Sequence, residues 1–189
     1  MVTRFGDVPW LDRPLAPEDT DALFAGRDSR TLVMDKVMED LDFAYQHIQA
    51  ASSDGTTVTK WTALGLKSRI ALFEGTYRKY HPELGLTASA STFLTHAAQA
   101  AQELMEKGPH SLNVAQGPAA SQRHLFISDA PPTNEVMLAV AFSNDLAILN
   151  DANWWWTSAT YGARLSLVRP FINTILNADG SPYTSRAGY

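Results

Sequence analysis

The chain has no cysteine among its 189 residues. Disulfides, thiolate metal sites, a cysteine nucleophile and a lipid-modified cysteine are therefore excluded within it. Basic residues are in the minority, 15 against 20 acidic, for a formal net charge of −5. That balance offers no electrostatic basis for binding nucleic acid or an anionic membrane. Long apolar runs are missing too: the longest apolar-rich stretch, residues 136–142, falls far short of the roughly 20 residues a membrane helix needs. No apolar segment or small-residue cleavage site follows Met1, so no signal peptide is read. A glycine-rich phosphate loop, a nucleophile elbow, a dinucleotide fingerprint and an HExxH pair are also absent, which counts against the commonest enzyme classes. What is present is apolar material, 45% of the residues, with only 19% charged. The length is a prior for a single domain with a sizeable core.

Residues 1–27 carry Pro9, Pro14 and Pro17 with the aromatics Phe5, Trp10 and Phe24, and repeat at no helical period. They read as an ordered lead-in loop. Asp28 or Ser29 then offers a capping oxygen to a helix whose stripe is Val33, Val37, Leu41, Ala44 and Ile48. After the turn cluster at 52–57, Thr59 is the predicted cap of a second helix reaching about Tyr80, with Ala63, Leu66, Ile70, Phe73, Tyr77 and Tyr80 on one face. Gly65 and Gly75 inside it cost about 1 kcal/mol each against alanine, so they point to close helix contacts. A third helix is predicted over 91–107, with Phe93, Ala97, Ala100 and Leu104 on one face and Gly108-Pro109 as its stop. Short connections imply antiparallel neighbours. Beyond 109, Pro, Gly, Ser and Asn interrupt short apolar groups; residues 135–142 fit a buried strand or a pair of helical turns, of which valine and phenylalanine favour the short strand, and 165–176 read as a last helix, with Asp179-Gly180 a turn and a loosely held tail from Ser181. The predicted class is mainly α: antiparallel helices over 28–108, long irregular loops over 109–189, and at most a short β element.

The triplet Trp154-Trp155-Trp156 is the most unusual feature, because three adjacent indoles cannot all enter one core from a helix or a strand. An exposed indole face is a platform for the C–H face of a sugar ring. Asn150, Asp151, Asn153 and Tyr161 lie within reach by sequence to bond its hydroxyls. The alternative is that the indoles pack beneath the loop or against neighbouring segments. Residues 150–153 lack the spacing of a calcium loop. The scattered His47, His81, His96, His110 and His124 read as helix-end or surface residues rather than ligands, and no metal or cofactor is expected. Asp35, Glu39, Asp40 and Asp42 crowd the outer face of the first helix as a solvated surface. Lys60, Lys67 and Arg78 of the second helix are their expected salt-bridge partners.

Several segments, taken in order, resemble the middle portion of the SusD/RagB family of outer-membrane nutrient-binding proteins of Bacteroidetes. They are Arg4-Phe5-Gly6-Asp7-Val8-Pro9, Arg27-Asp28-Ser29-Arg30, Met38-Glu39-Asp40-Leu41-Asp42, and Val58-Thr59-Lys60 leading into Ala63-Leu64-Gly65-Leu66-Lys67-Ser68-Arg69-Ile70-Ala71-Leu72-Phe73. Gly108-Pro109-His110-Ser111-Leu112 then resembles the family's glycine-tyrosine-serine-leucine turn with histidine in the tyrosine place, Asn134-Glu135-Val136-Met137 the start of its following strand, and Asp179-Gly180 its late turn. The resemblance implies a degenerate tetratricopeptide-like helical scaffold, although residues 29–80 are longer than the roughly 34-residue repeat and do not follow its consensus cleanly. It further implies a non-catalytic protein that captures glycans or other nutrients at the surface of the outer membrane and passes them to a SusC-like TonB-dependent transporter. Family sites commonly use aromatics in variable loops beyond the scaffold, which by location carries the expected ligand set to Trp154, Trp155, Trp156, Asn153, Asp151 and Tyr161. Family members carry a signal peptide and a lipidated cysteine, so this chain is expected to be a piece of such a protein. Two other functions fit the residues: a helical protein–protein adaptor anchored by the tryptophans, and a glycan-processing enzyme using Asp145 and Asp151.

Overall fold

The computed structural model describes residues 1–52, 54–143, 145–162 and 166–185. It is mainly helical, as the periodicity predicts. In chain order the helices are α1 (Val2–Phe5), α2 (Thr20–Leu23), α3 (Arg30–His47), α4 (Lys60–Tyr80), α5 (Ala90–Lys107), α6 (Ser121–Ile127), α7 (Ala152–Thr157) and α8 (Arg169–Ile172). None among the described residues is long and apolar enough to cross a membrane. The chain divides into two compact units, Met1–Val140 and Ala141–Tyr189. The change of composition at 109 thus falls inside the first unit.

The first unit is built on α3, α4 and α5. Ser29 caps α3, accepting from the Leu32 amide at 3.3 Å. Thr59 and Thr62 form a reciprocal capping box on α4. Contacts fix the directions: Arg30 meets Glu74, Asp42 meets Lys67, and Tyr45 meets Trp61, so α3 and α4 run antiparallel. Gly75 lies against Leu94 and Gly65 against Leu104, so α5 runs antiparallel to α4 in turn. A Cβ at Gly75 would lie 2.8 Å from Leu94 side-chain atoms and 3.0 Å from its backbone nitrogen. The glycines are therefore the price of close approach, as their position in the stripe implies. Val33, Met34, Met38, Ala71, Phe93 and Ala97 form the main core, while Trp61, Leu64 and Ala100 form a second.

A charged network crosses this core. The Glu74 carboxylate is wholly buried and accepts from Arg30 Nη2 at 2.6 Å and Nε at 2.9 Å, and from Arg78 Nε at 2.7 Å. The Arg78 guanidinium lies 4.2 Å above the Phe93 ring and donates to Ser89 Oγ at 2.8 Å. Arg30 lies 4.1 Å above Tyr77. The expected partnership of Lys60, Lys67 and Arg78 with the acidic face of α3 is met only by Lys67, which binds Asp42. Lys60 sits over the rings of Tyr45 and Trp61, and Arg78 turns inward to Glu74, its neighbour one helical turn back. Tyr45 also donates to Glu103 of α5 at 2.8 Å; Lys107 and Tyr45 together hold the Glu103 carboxyl below the usual glutamate range.

Four expectations need correction. The lead-in is not wholly loop: it holds α1 and α2 and is pinned by an antiparallel bridge between Val8 and Asp28. Asp28 is drawn to the Trp10 amide at 2.7 Å and Asp7 to the Arg30 amide at 2.8 Å, which is why Ser29, not Asp28, caps α3. Residues 135–142 form no strand, because their hydrogen bonds go to unrelated places. The Glu135 and Val136 amides close a turn on Pro132, Met137 O accepts from Thr62, and the Ala139 amide reaches Gly55. The predicted last helix shrinks to α8, with Val168 extended before it and Pro170 confined to its first turn; Leu165 lies outside the described residues. The loops read as irregular also contain α6 and α7. Among the described residues the β content is isolated bridges.

Replacing Glu74 by glutamine leaves two buried guanidinium groups without a counter-charge, and an expected loss of about 3–5 kcal/mol in urea-monitored unfolding follows. Gly75→Ala gains helix propensity of about 1 kcal/mol but collides with the Leu94 side chain and crowds its backbone nitrogen. The same assay is expected to show a net loss of about 1 kcal/mol or more.

Candidate ligand-binding site

The second unit presents the tryptophans on α7. The helix starts where Asn150 Oδ1 accepts from the Ala152 amide at 3.2 Å. Asp151 precedes it, and its carboxylate accepts from the indole Nε1 of Trp155 at 2.7 Å, one turn along. That bond fixes the ring of Trp155. Successive helical residues are about 100° apart, so Trp154, Trp155 and Trp156 fan around the axis rather than share a face. Trp154 packs edge-to-face on Trp155, with centroids 5.1 Å apart and planes at 84°. It also lies nearly parallel to Tyr161, at 6.3 Å and 12°.

A turn after α7 carries Tyr161 back. Ser158 ends the helix with its amide on Trp154 O at 2.9 Å, and its hydroxyl accepts from the Tyr161 amide at 3.2 Å. Gly162 closes against this end: a side-chain carbon there would run into the carbonyl oxygens of Trp155 and Ser158. The aromatic faces stay open to solvent, with relative exposures of 48% for Trp154, 44% for Trp155, 69% for Trp156 and 74% for Tyr161.

Of the expected ligand set, the structure brings Asp151, Trp154, Trp155 and Tyr161 together. Trp156 stands apart from the ring cluster. Asn153 is exposed, and its backbone carbonyl accepts from Thr157 Oγ1 at 2.7 Å within α7. Sequence reasoning missed Ser158 and Gly162, which position Tyr161; a glycine directly after an aromatic residue was the available signal. The cluster is an amphipathic platform with a carboxylate at one edge: it can stack on apolar faces and accept hydrogen bonds from hydroxyl or amide groups.

Among the described residues no group of three His, Asp or Glu side chains is placed to hold a metal. The histidines serve local contacts: His47 stacks on Phe43, His81 pairs with Glu83, and His124 meets Ser128. His110 departs from the expected surface role, since both ring nitrogens are buried. Comparison with protein families, curated proteins and solved structures finds no match to this chain.

Asp151→Ala frees the Trp155 ring and Gly162→Ala displaces the turn carrying Tyr161. Both variants are expected to lose near-ultraviolet circular dichroism from the aromatic cluster. Because the hydrogen bond is exposed, global stability is expected to change by less than about 1 kcal/mol for Asp151→Ala.

Proposed function

We propose that the chain is part of a SusD/RagB-type nutrient-binding protein that captures oligosaccharide on the α7 aromatic cluster and does not alter it chemically. The observation that supports this reading most directly is the exposed cluster of Trp154, Trp155 and Tyr161, in which the Asp151 carboxylate holds the Trp155 ring and Ser158 anchors the turn that carries Tyr161. Exposed aromatic faces gain from contact with the C–H faces of a pyranose, and rings that are already ordered lose little side-chain entropy on binding. Asp151 and Asn153 supply acceptors and a donor for the sugar hydroxyls. In this reading α3, α4 and α5 belong to a degenerate tetratricopeptide-like scaffold. The assembly acts at the outer-membrane surface and delivers its cargo to a SusC-like TonB-dependent transporter.

A second reading is a protein–protein adaptor. It is favoured by Trp156 standing outside the ring cluster, and by Leu149, Leu167 and Val168 of the same unit, each exposed by more than half. Such residues suit the aromatic and aliphatic anchors of an interface.

Intrinsic tryptophan fluorescence during titration with a panel of soluble oligosaccharides separates the two. Capture requires a saturable shift with one glycan class. Trp154→Ala or Trp155→Ala is expected to weaken it by about tenfold or more, as loss of a stacking anchor does, and Trp156→Ala by less. A folded protein with no shift for any glycan sinks the capture reading and leaves the adaptor.

A further inference from the structure

The first unit contains a concave surface that the aromatic cluster does not account for. The N-terminal segment lies against α3 and α4 and leaves a cleft of about 760 Å³, within the range of about 300–1,000 Å³ usual for small-molecule sites. Val8 and Trp10 line it from the N-terminal segment, Val33 and Val37 from α3, and Ile70 and Phe73 from α4. Trp10, Val37 and Ile70 remain only partly buried, so the core beneath leaves apolar surface facing the cleft.

Among the described residues two charged side chains line the cleft, Arg69 and Glu74. They are not equivalent. Both oxygens of Glu74 are engaged by Arg30 and Arg78, so its negative charge is offset by two guanidinium groups. Arg69 is exposed and makes no ion pair among the described residues. The cleft therefore combines apolar walls with the unpaired guanidinium of Arg69 at an accessible position.

We propose that this cleft binds a small amphiphile with a carboxylate head and an unbranched apolar chain, a medium-chain fatty acid being the simplest example. The chain occupies the apolar walls and the carboxylate lies against Arg69. Apolar burial supplies the affinity, and each added methylene that enters the cleft tightens binding by about threefold to fourfold. The ion pair is exposed to water, so its contribution is modest, about fivefold. This inference is independent of glycan capture, since it concerns different residues and a different ligand class.

Calorimetric titration of the whole chain with octanoate, decanoate, dodecanoate and dodecanol, each below its aggregation concentration, tests the assignment. One site is expected, with affinity rising along the acid series. Arg69→Gln is expected to weaken the acids about fivefold while leaving dodecanol unchanged, and Arg69→Lys to recover most of the loss. Leu11 also lines the cleft, so Leu11→Glu places a carboxylate on its wall and is expected to weaken dodecanoate by about tenfold or more. Leu11 and Arg69 are both exposed, so these variants keep the core intact, which circular dichroism checks. Absence of saturable dodecanoate binding overturns the proposal. So does equal loss of acid and alcohol in Arg69→Gln, or binding that survives Leu11→Glu and therefore lies elsewhere. A dimer in sedimentation velocity that Leu11→Glu dissolves assigns the cleft to a second copy of the chain and equally overturns it.

Discussion

Glu74 holds two arginines in the interior of the first unit, and much of that unit's arrangement depends on it. Arg30 opens α3, Glu74 and Arg78 lie one turn apart on α4, and Ser89 receives Arg78 just before α5 begins. One carboxylate therefore ties together α3 and α4 and, through Arg78, the connection that leads into α5. Buried ion pairs of this kind contribute little net stability against an apolar alternative of similar shape. Their effect here is on register: a shift of α3 along α4 by a single turn would bury charges without partners. The aromatic rings of Tyr77 and Phe93 lie beneath the two guanidinium groups and cover faces that carry no hydrogen bonds.

The N-terminal segment depends on the same network. Val2 O receives Arg30 Nη1 at 3.4 Å, and Asp7 accepts from the amide of Arg30. The segment is thereby drawn along the α3/α4 pair, and the apolar cleft is what its path leaves uncovered. Close approach of α5 to α4 is achieved by glycine and alanine at the contact, with Ser68 donating to Ala97 O at 3.0 Å. The result is a helical layer on which loops are fastened at a few points, as 133–139 is by Thr62 to Met137 O, by the Ala139 amide to Gly55 O and by the Asn113 amide to Glu135. The second unit is organised on a smaller scale. Its aromatic cluster is ordered by an i,i+4 bond between Asp151 and Trp155 and by one turn after α7, so it forms a local platform without the support of a large core.

The amino-acid sequence by itself determined α3, α4 and α5, the Thr59 cap of α4, and the glycine contacts between α4 and α5. Those features rest on local physics: a 3.6-residue apolar period, a side-chain oxygen ahead of each run for α3 and α4, and the absence of a Cβ where backbones meet. It also showed that the three adjacent indoles cannot all enter one core, since adjacent helical residues do not share a face. Tertiary structure alone decided which charges pair. Arg78 and Lys67 are alike in sequence, yet one turns into the core and the other reaches Asp42, because only the packing of α3 and α5 around α4 sets which side of the helix is dry. The same holds for 135–142, whose valines and phenylalanine favour a strand that never forms. A strand needs a partner edge, and the neighbours that packing provides are the start of α4 and the turn at Gly55.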